Sequence, residues 1–339
     1  MYKRIVSPFL FLFDPESVHN FTFTVLKISY KFPLTKFIVS FLLSFENQKL
    51  EKQLFGLNFK NPVGVAAGLD KNAAHIKEFS SFGFGFVEVG TITPEPQIGN
   101  SKKRLFRLEK DNAIINRMGF NNEGLEKILP RLKDNYDVII GGNIGKNKST
   151  PNSKAKSDYL KCFKKLYDFI DYFVINVSSP NTPGLRKLQT PNFLKDLFKD
   201  LNIERSKRNK YKPILIKISP DLEKNKIDEL LQIIEACKID GIVATNTTVN
   251  FPKLDSKSKN ESGGLSGAPL QKKSNQIISY ISKKTEGKLP IIGVGGILSA
   301  KDAIEKIKCG AHLVQLYTGI IYEGPVIAKK IKKKLLKEI

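Results

Sequence analysis

Cysteine is scarce in this chain of 339 residues. Cys162, Cys237 and Cys309 are odd in number and spaced like no metal site, which points to a reducing compartment. Acidic residues are also few: 33 Asp and Glu stand against 56 Lys and Arg, for a net charge of +23. Most of the excess is lysine, scattered along the chain and dense in KKIKKKLLKEI (329–339), and it reads as a solvated lysine-rich surface. An anionic membrane surface is the next partner to weigh. No basic stretch is interleaved with aromatics, so nucleic acid is not expected as a partner. Long apolar runs are missing as well. FIVSFLLSF (37–45) is uncharged but far shorter than the roughly 20 residues of a spanning helix. MYKRIVSPFLFLF (1–13) starts positive, but Pro8 breaks its short apolar run and no small-residue cleavage site follows. It is not read as a signal peptide. No linker or low-complexity segment divides the chain.

What is present falls into two parts, 1–50 and 51–339. The first is rich in Phe. DPESVHNFTFTVLKISYKF (14–32) opens as a helix, with Asp14 as N-cap, Pro15 at the first helical position and Glu16 in the first turn. A second helix is predicted over 34–45. Both hold more Phe, Leu, Ile and Val than one buried stripe needs. They either pack on the main domain or lie in a bilayer surface. From residue 60 onward, eight short apolar runs recur, at 62–67, 84–90, 137–143, 172–177, 213–218, 241–246, 290–295 and 312–317. Near-continuous hydrophobicity is the mark of parallel strands covered on both faces. Amphipathic stretches such as 226–238 and 299–310 lie between them. The pattern predicts an α/β fold, a (β/α)8 TIM barrel with an N-terminal two-helix extension; a doubly wound sheet is the runner-up.

In such a barrel, function gathers at the C-terminal ends of the strands. Here those ends read AGLDK (67–71), GTITP (90–94), NIGKNK (143–148), NVSSPN (176–181), KISPD (217–221), TNTT (245–248), GVGG (293–296) and YTG (317–319). One polar end is an ordinary turn, but eight together argue for a ligand-filled mouth. Gly295, Gly296 and Thr318 follow the last two strands, where this fold often holds a phosphate. Lys217 interrupts the apolar strand ILIKI, and Lys71 follows Asp70; a lysine there needs an anionic partner unless it turns out to solvent. Asn116, Asn143, Asn176, Asn181 and Asn246 offer paired donors and acceptors that suit the edge of a flat ring such as a flavin or pyrimidine.

The motifs AAGLDKN (66–72), EVGTITPEPQIGN (88–100), INRMGFNN (115–122), NVSSPNTPGLR (176–186), KISPDL (217–222), GGLSG (263–267) and QLYTGIIYEGP (315–325), with LFDPESVHNFT (12–22), closely resemble the dihydroorotate dehydrogenases of the membrane-associated, quinone-using class. The resemblance implies oxidation of dihydroorotate to orotate in pyrimidine synthesis, with FMN as hydride acceptor and a membrane quinone as the final one. It implies that Ser179 is the catalytic base at C5, where the soluble class has cysteine. It implies substrate contacts at Lys71, Asn116, Arg117, Met118, Gly119, Phe120, Asn176, Asn181, Asn246 and Thr247. Flavin contacts are implied at Ala67, Gly68, Lys71, Thr91, Asn143, Asn176, Lys217, Thr245, Gly267, Gly296, Tyr317 and Thr318. His19 and Arg104 match positions near a quinone tunnel. A peripheral place on the cytoplasmic face of a bacterial inner membrane, against anionic lipid, follows from the same resemblance, and no obligatory protein partner is evident. The alternatives are the soluble class using fumarate or NAD, a tRNA dihydrouridine synthase, which would use a cysteine acid, and a barrel that binds without catalysis.

Overall fold

Apolar runs that alternate with amphipathic helices bury both strand faces only when the helices wrap the strands from outside. In the computed structural model, which describes residues 2–338, the chain does so. A hairpin of β1 (Lys52–Leu54) and β2 (Leu57–Phe59) comes first. The strands β3 (Val63–Val65), β4 (Phe86–Ile92), β7 (Ile139–Ile144), β8 (Tyr172–Asn176), β9 (Ile214–Ile218), β10 (Gly241–Ala244), β12 (Ile291–Val294) and β13 (Leu313–Leu316) then close a parallel barrel, with β13 returning to β3. Each coincides with one of the eight predicted runs. The sequence reading passed over a further antiparallel sheet of β5 (Leu105–Leu108), β6 (Ala113–Asn116) and β11 (Gly264–Gly267).

The barrel interior is filled by Phe86, Tyr172, Val174, Leu215, Val243, Ile292 and Leu313, with Phe59 of the hairpin packed beneath them. Two glycines make room for the largest rings. A Cβ on Gly64 would lie 2.4 Å from the Phe86 ring, and one on Gly141 would lie 2.2 Å from that of Tyr172. The outer layer follows helical spacing. In one helix, Ala155–Leu166, the buried residues Tyr159, Cys162, Phe163 and Leu166 form a single stripe against the strands.

Three α-helices among the described residues precede the hairpin: α1 (Ser7–Phe11), α2 (Pro15–Ser29) and α3 (Pro33–Leu43). Asp14 caps α2 as predicted, its Oδ1 accepting the Ser17 N–H at 2.9 Å. Pro8 does not break structure. It sits in the first turn of α1, at the junction with a π-helical turn, Tyr2–Val6. The surplus of apolar residues has a spatial explanation, since α2 and α3 have two apolar faces. Phe23, Leu26, Tyr30, Val39 and Leu43 pack on the barrel's helical layer. Phe21, Val25, Ile28, Phe37, Phe41 and Leu42 point to solvent.

Polar contacts tie these helices down at both ends. Arg104, just before β5, is buried and places Nη2 2.6 Å from Glu16 of α2, while its Nη1 donates to the carbonyls of Ile98 and Asn100. Lys329 donates to the Leu42 carbonyl at 2.7 Å, in the last turn of α3, where a cation also complements the helix dipole. The hydrogen bond from Arg104 holds the Glu16 carboxyl below its ordinary range. The stabilisation from Glu16 is therefore complete above the unfolded value of about 4.3 and is lost as pH falls through the lowered folded one. Removing one partner of a buried pair costs about 3 kcal/mol. In Arg104→Ala, hydrogen exchange of the α2 amides is expected to accelerate accordingly at neutral pH, and the acid-induced loss of α2 protection expected of the wild type should vanish. Equal α2 protection in the two proteins would remove this clamp from the account.

Candidate active site

The C-terminal ends of the strands enclose a cleft at the mouth of the barrel. Ala66–Gly68 and Lys71 enter from beyond β3, and Thr91 from β4. Asn176, Ser179 and Asn181 come from β8 and its loop, Lys217 from β9, and Thr245, Asn246 and Thr247 from beyond β10. The extra sheet matters at this point. It brings Asn116 at the end of β6 beside Gly264 of β11, so Asn116, Ser266 and Gly267 become part of one wall.

An amide network lies at the base of the cleft. Thr91 Oγ1 donates to Asn143 Oδ1 at 2.6 Å, and Asn176 Nδ2 donates to both Thr91 Oγ1 and Asn143 Oδ1. Asn143 Nδ2 in turn donates to Glu88 Oε1 at 2.8 Å, and Gln315 Nε2 donates to Glu88 Oε2 at 2.6 Å. Lys217 is buried and its Nζ lies 3.8 Å from Glu88, so the strand holds it inward and not toward solvent. Gln315 Oε1 is buried without a partner although the residue lines the cleft.

Ser179 is buried in the loop after β8, and its Oγ accepts the Asn181 N–H at 3.2 Å. Asn181 Nδ2 reaches across to Asn116 Oδ1 at 3.0 Å, and Asn246 Nδ2 donates to Ser178 Oγ at 3.0 Å. Arg186 fixes this loop from behind. It donates to the carbonyls of Ser178 and Thr247 and pairs with Asp221 at 3.0 Å. At the opposite end, the hydroxyls of Ser266 and Thr318 stand 2.8 Å apart beside Gly295 and Gly296. The first N–H groups of the short helix Thr318–Glu323 lack intrahelical acceptors, so this end of the cleft presents donors to an anion.

Lys71 lies between this cleft and a second cavity lined by Glu16, His19, Phe23, Asp70 and His75. Burial pushes Lys71 down to about 8, although Glu16 opposes the shift. Burial, helped by Lys71 and His75, pushes His19 down to about 3, so its imidazole is neutral at physiological pH.

Of the residues singled out from the sequence, Ser179, Lys71, Asn116, Met118, Gly119, Phe120, Asn176, Asn181, Asn246, Thr247, Ala67, Gly68, Thr91, Lys217, Thr245, Gly267, Gly296, Tyr317 and Thr318 share the cleft wall. Asn143 lies one layer below it, in the network under Thr91 and Asn176. The Arg117 guanidinium turns away to Glu261 at 2.7 Å and stacks on Phe106. His19 lines the second cavity, whereas Arg104 is occupied by Glu16 and two carbonyls. Sequence reasoning passed over Glu88, Gln315, Asp221 and Arg186. Glu88 had the same signal as Lys217, a charge inside an apolar strand.

Polar groups on a flat wall, a lysine at the base, a hydroxyl in a loop and a donor-rich end suit a planar heterocycle with an anionic tail beside a second small ring. The family profile for dihydroorotate dehydrogenase matches residues 49–339. A relative from Christiangramia forsetii named dihydroorotate dehydrogenase (quinone) is 54% identical over 100% of this chain and 99% of its own length. One of the same name from Idiomarina loihiensis is 46% identical over 99% of this chain and 100% of its own. Ligand-free DHODH from Eimeria tenella superimposes with a TM-score of 0.88 at 39% identity, covering 96% of this chain and 94% of that one. This chain belongs to the dihydroorotate dehydrogenase family.

Proposed function

We propose that this protein oxidises dihydroorotate to orotate in pyrimidine synthesis, passing electrons through FMN to a membrane quinone. The observation that carries this reading is a buried serine, Ser179, among amides that line one wall of a cleft whose base holds Lys217, in a chain matched end to end by quinone-class relatives. FMN fits the residues present. Gln315 Oε1 is an orphaned acceptor at the base, and Ser266 and Thr318 offer hydroxyls where the phosphate would lie. FMN, when bound, supplies the two-electron acceptor for the substrate's C6 hydrogen.

The chain's own residues do the rest. Asn116, Asn181, Asn246 and Thr247 hold the edges of the pyrimidine ring, and the network through Thr91, Asn143 and Asn176 keeps those edges in register with the flavin. Ser179 takes the proton from C5. A serine hydroxyl is a weak base, so Ser179 works by position and hands the proton on. Arg186, bonded to the Ser178 and Thr247 carbonyls, keeps the serine loop against the substrate wall. Quinone would enter by the second cavity, past His19 and Phe23, from a membrane met by α2 and α3 on the cytoplasmic side. No helix among the described residues is long and apolar enough to cross a membrane. The exposed Phe37 and Phe41, with the exposed Lys27, Lys31 and Lys36, fit docking on an anionic surface.

Two measurements test the reading. Ser179→Ala is expected to retain flavin and lose roughly 10²-fold in the rate at which dihydroorotate reduces it, followed by stopped flow; near-normal reduction would take the base away from Ser179. Phe37 and Phe41 are 69% and 75% exposed. Phe37→Asp with Phe41→Asp should therefore abolish co-sedimentation with anionic phospholipid vesicles while changing unfolding stability by no more than about 0.5 kcal/mol. Undiminished vesicle binding would move the docking face elsewhere.

A further inference from the structure

We propose that Glu88 is a positioning residue that sets the electron affinity of the bound cofactor, dividing the charge of Lys217 between itself and the flavin ring. The inference rests on the FMN reading above. Glu88 is fully buried inside the barrel, in β4, one layer below the cleft wall. Its two oxygens accept from Asn143 and Gln315, and Lys217 Nζ stands 3.8 Å away. That distance is too long for a hydrogen bond, and among the described residues Lys217 donates none to the protein. The ammonium is therefore electrostatically paired yet keeps its N–H groups for the cleft it lines.

Packing alone does not account for this carboxylate. Phe86, Val174 and Leu215 fill the same interior with apolar groups, and a buried ion pair is a poor source of stability compared with them. Its value is electrostatic. Reduction adds negative charge to the ring; Lys217 favours that charge and Glu88 opposes it, with little water to screen either. Glu88 reaches the cleft through three groups, Lys217, Gln315 and the Asn143–Thr91–Asn176 bonds.

Glu88→Gln removes the charge and keeps the volume. Wild type and variant would be purified with FMN and titrated reductively against reference dyes. The flavin midpoint potential is expected to rise in Glu88→Gln, favouring the reduced form at least tenfold, which is about 30 mV for a two-electron couple. Affinity for sulfite, which adds to oxidised flavin and reports positive charge beside it, should rise in parallel. Glu88→Asp draws the carboxylate back from Lys217 and should shift both readings in the same direction by less; it carries the test if Glu88→Gln does not fold. Unchanged potential and sulfite affinity in the folded variants would overturn the proposal, and so would loss of FMN or of thermal stability without a change in potential. Wild-type protein that takes up no flavin would sink the FMN reading itself, a result distinct from flavin bound at an unaltered potential.

Discussion

Asn176 stands opposite Lys217 in the ladder between β8 and β9, and the site depends on that register. Side chains alternate across a strand, so a slip of one residue would send Lys217 into the apolar layer under the helices and bring Ile216 or Ile218 to the base of the cleft. The register is held by what lies below it. Tyr172, Val174 and Leu215 belong to the same inward set and fill the barrel. A core of ordinary hydrophobic packing thus aims a lysine and an asparagine at one point, where Glu88 and the Thr91–Asn143 pair meet them.

Much of this was legible in the sequence. The strands were visible because parallel strands covered on both faces cannot hide their apolar runs, and polar ends on all eight located the mouth. The sheet formed by β5, β6 and β11 was not visible. Its strands are short and their residues read as loop motifs; β5 and β6 pair locally, and β11 joins them only across about 150 positions, as in Ile114 against Ser266. Arg117 sits in a motif that faces the cleft, yet its own side chain follows Phe106 and Glu261 outward. Motif spacing places a segment, not each side chain within it.

Charge shows the same limit. The lysine excess read as a solvated surface, but Lys146, Lys306 and Lys332 are among the largest fully buried side chains. Lys306 donates to Ser274 and Asn275, and Lys332 to the Gly83 carbonyl. Burial pushes both down to about 8. Long aliphatic stems fill space between helices while the amine ends on a neutral acceptor, and composition does not separate such lysines from exposed ones.

The fit of Phe86 over Gly64 and of Tyr172 over Gly141 also constrains how this sequence can drift. Each ring fills a void that exists because its neighbour has no side chain. Neither glycine accepts even a methyl while its ring remains, and neither ring shrinks without leaving a hole. Change at these four positions is therefore accessible mainly in pairs, a larger residue arriving on one strand as a smaller one replaces the ring on the next. Lineages of this barrel would be expected to carry the two members of each pair together, as a record of volume exchanged across the interior.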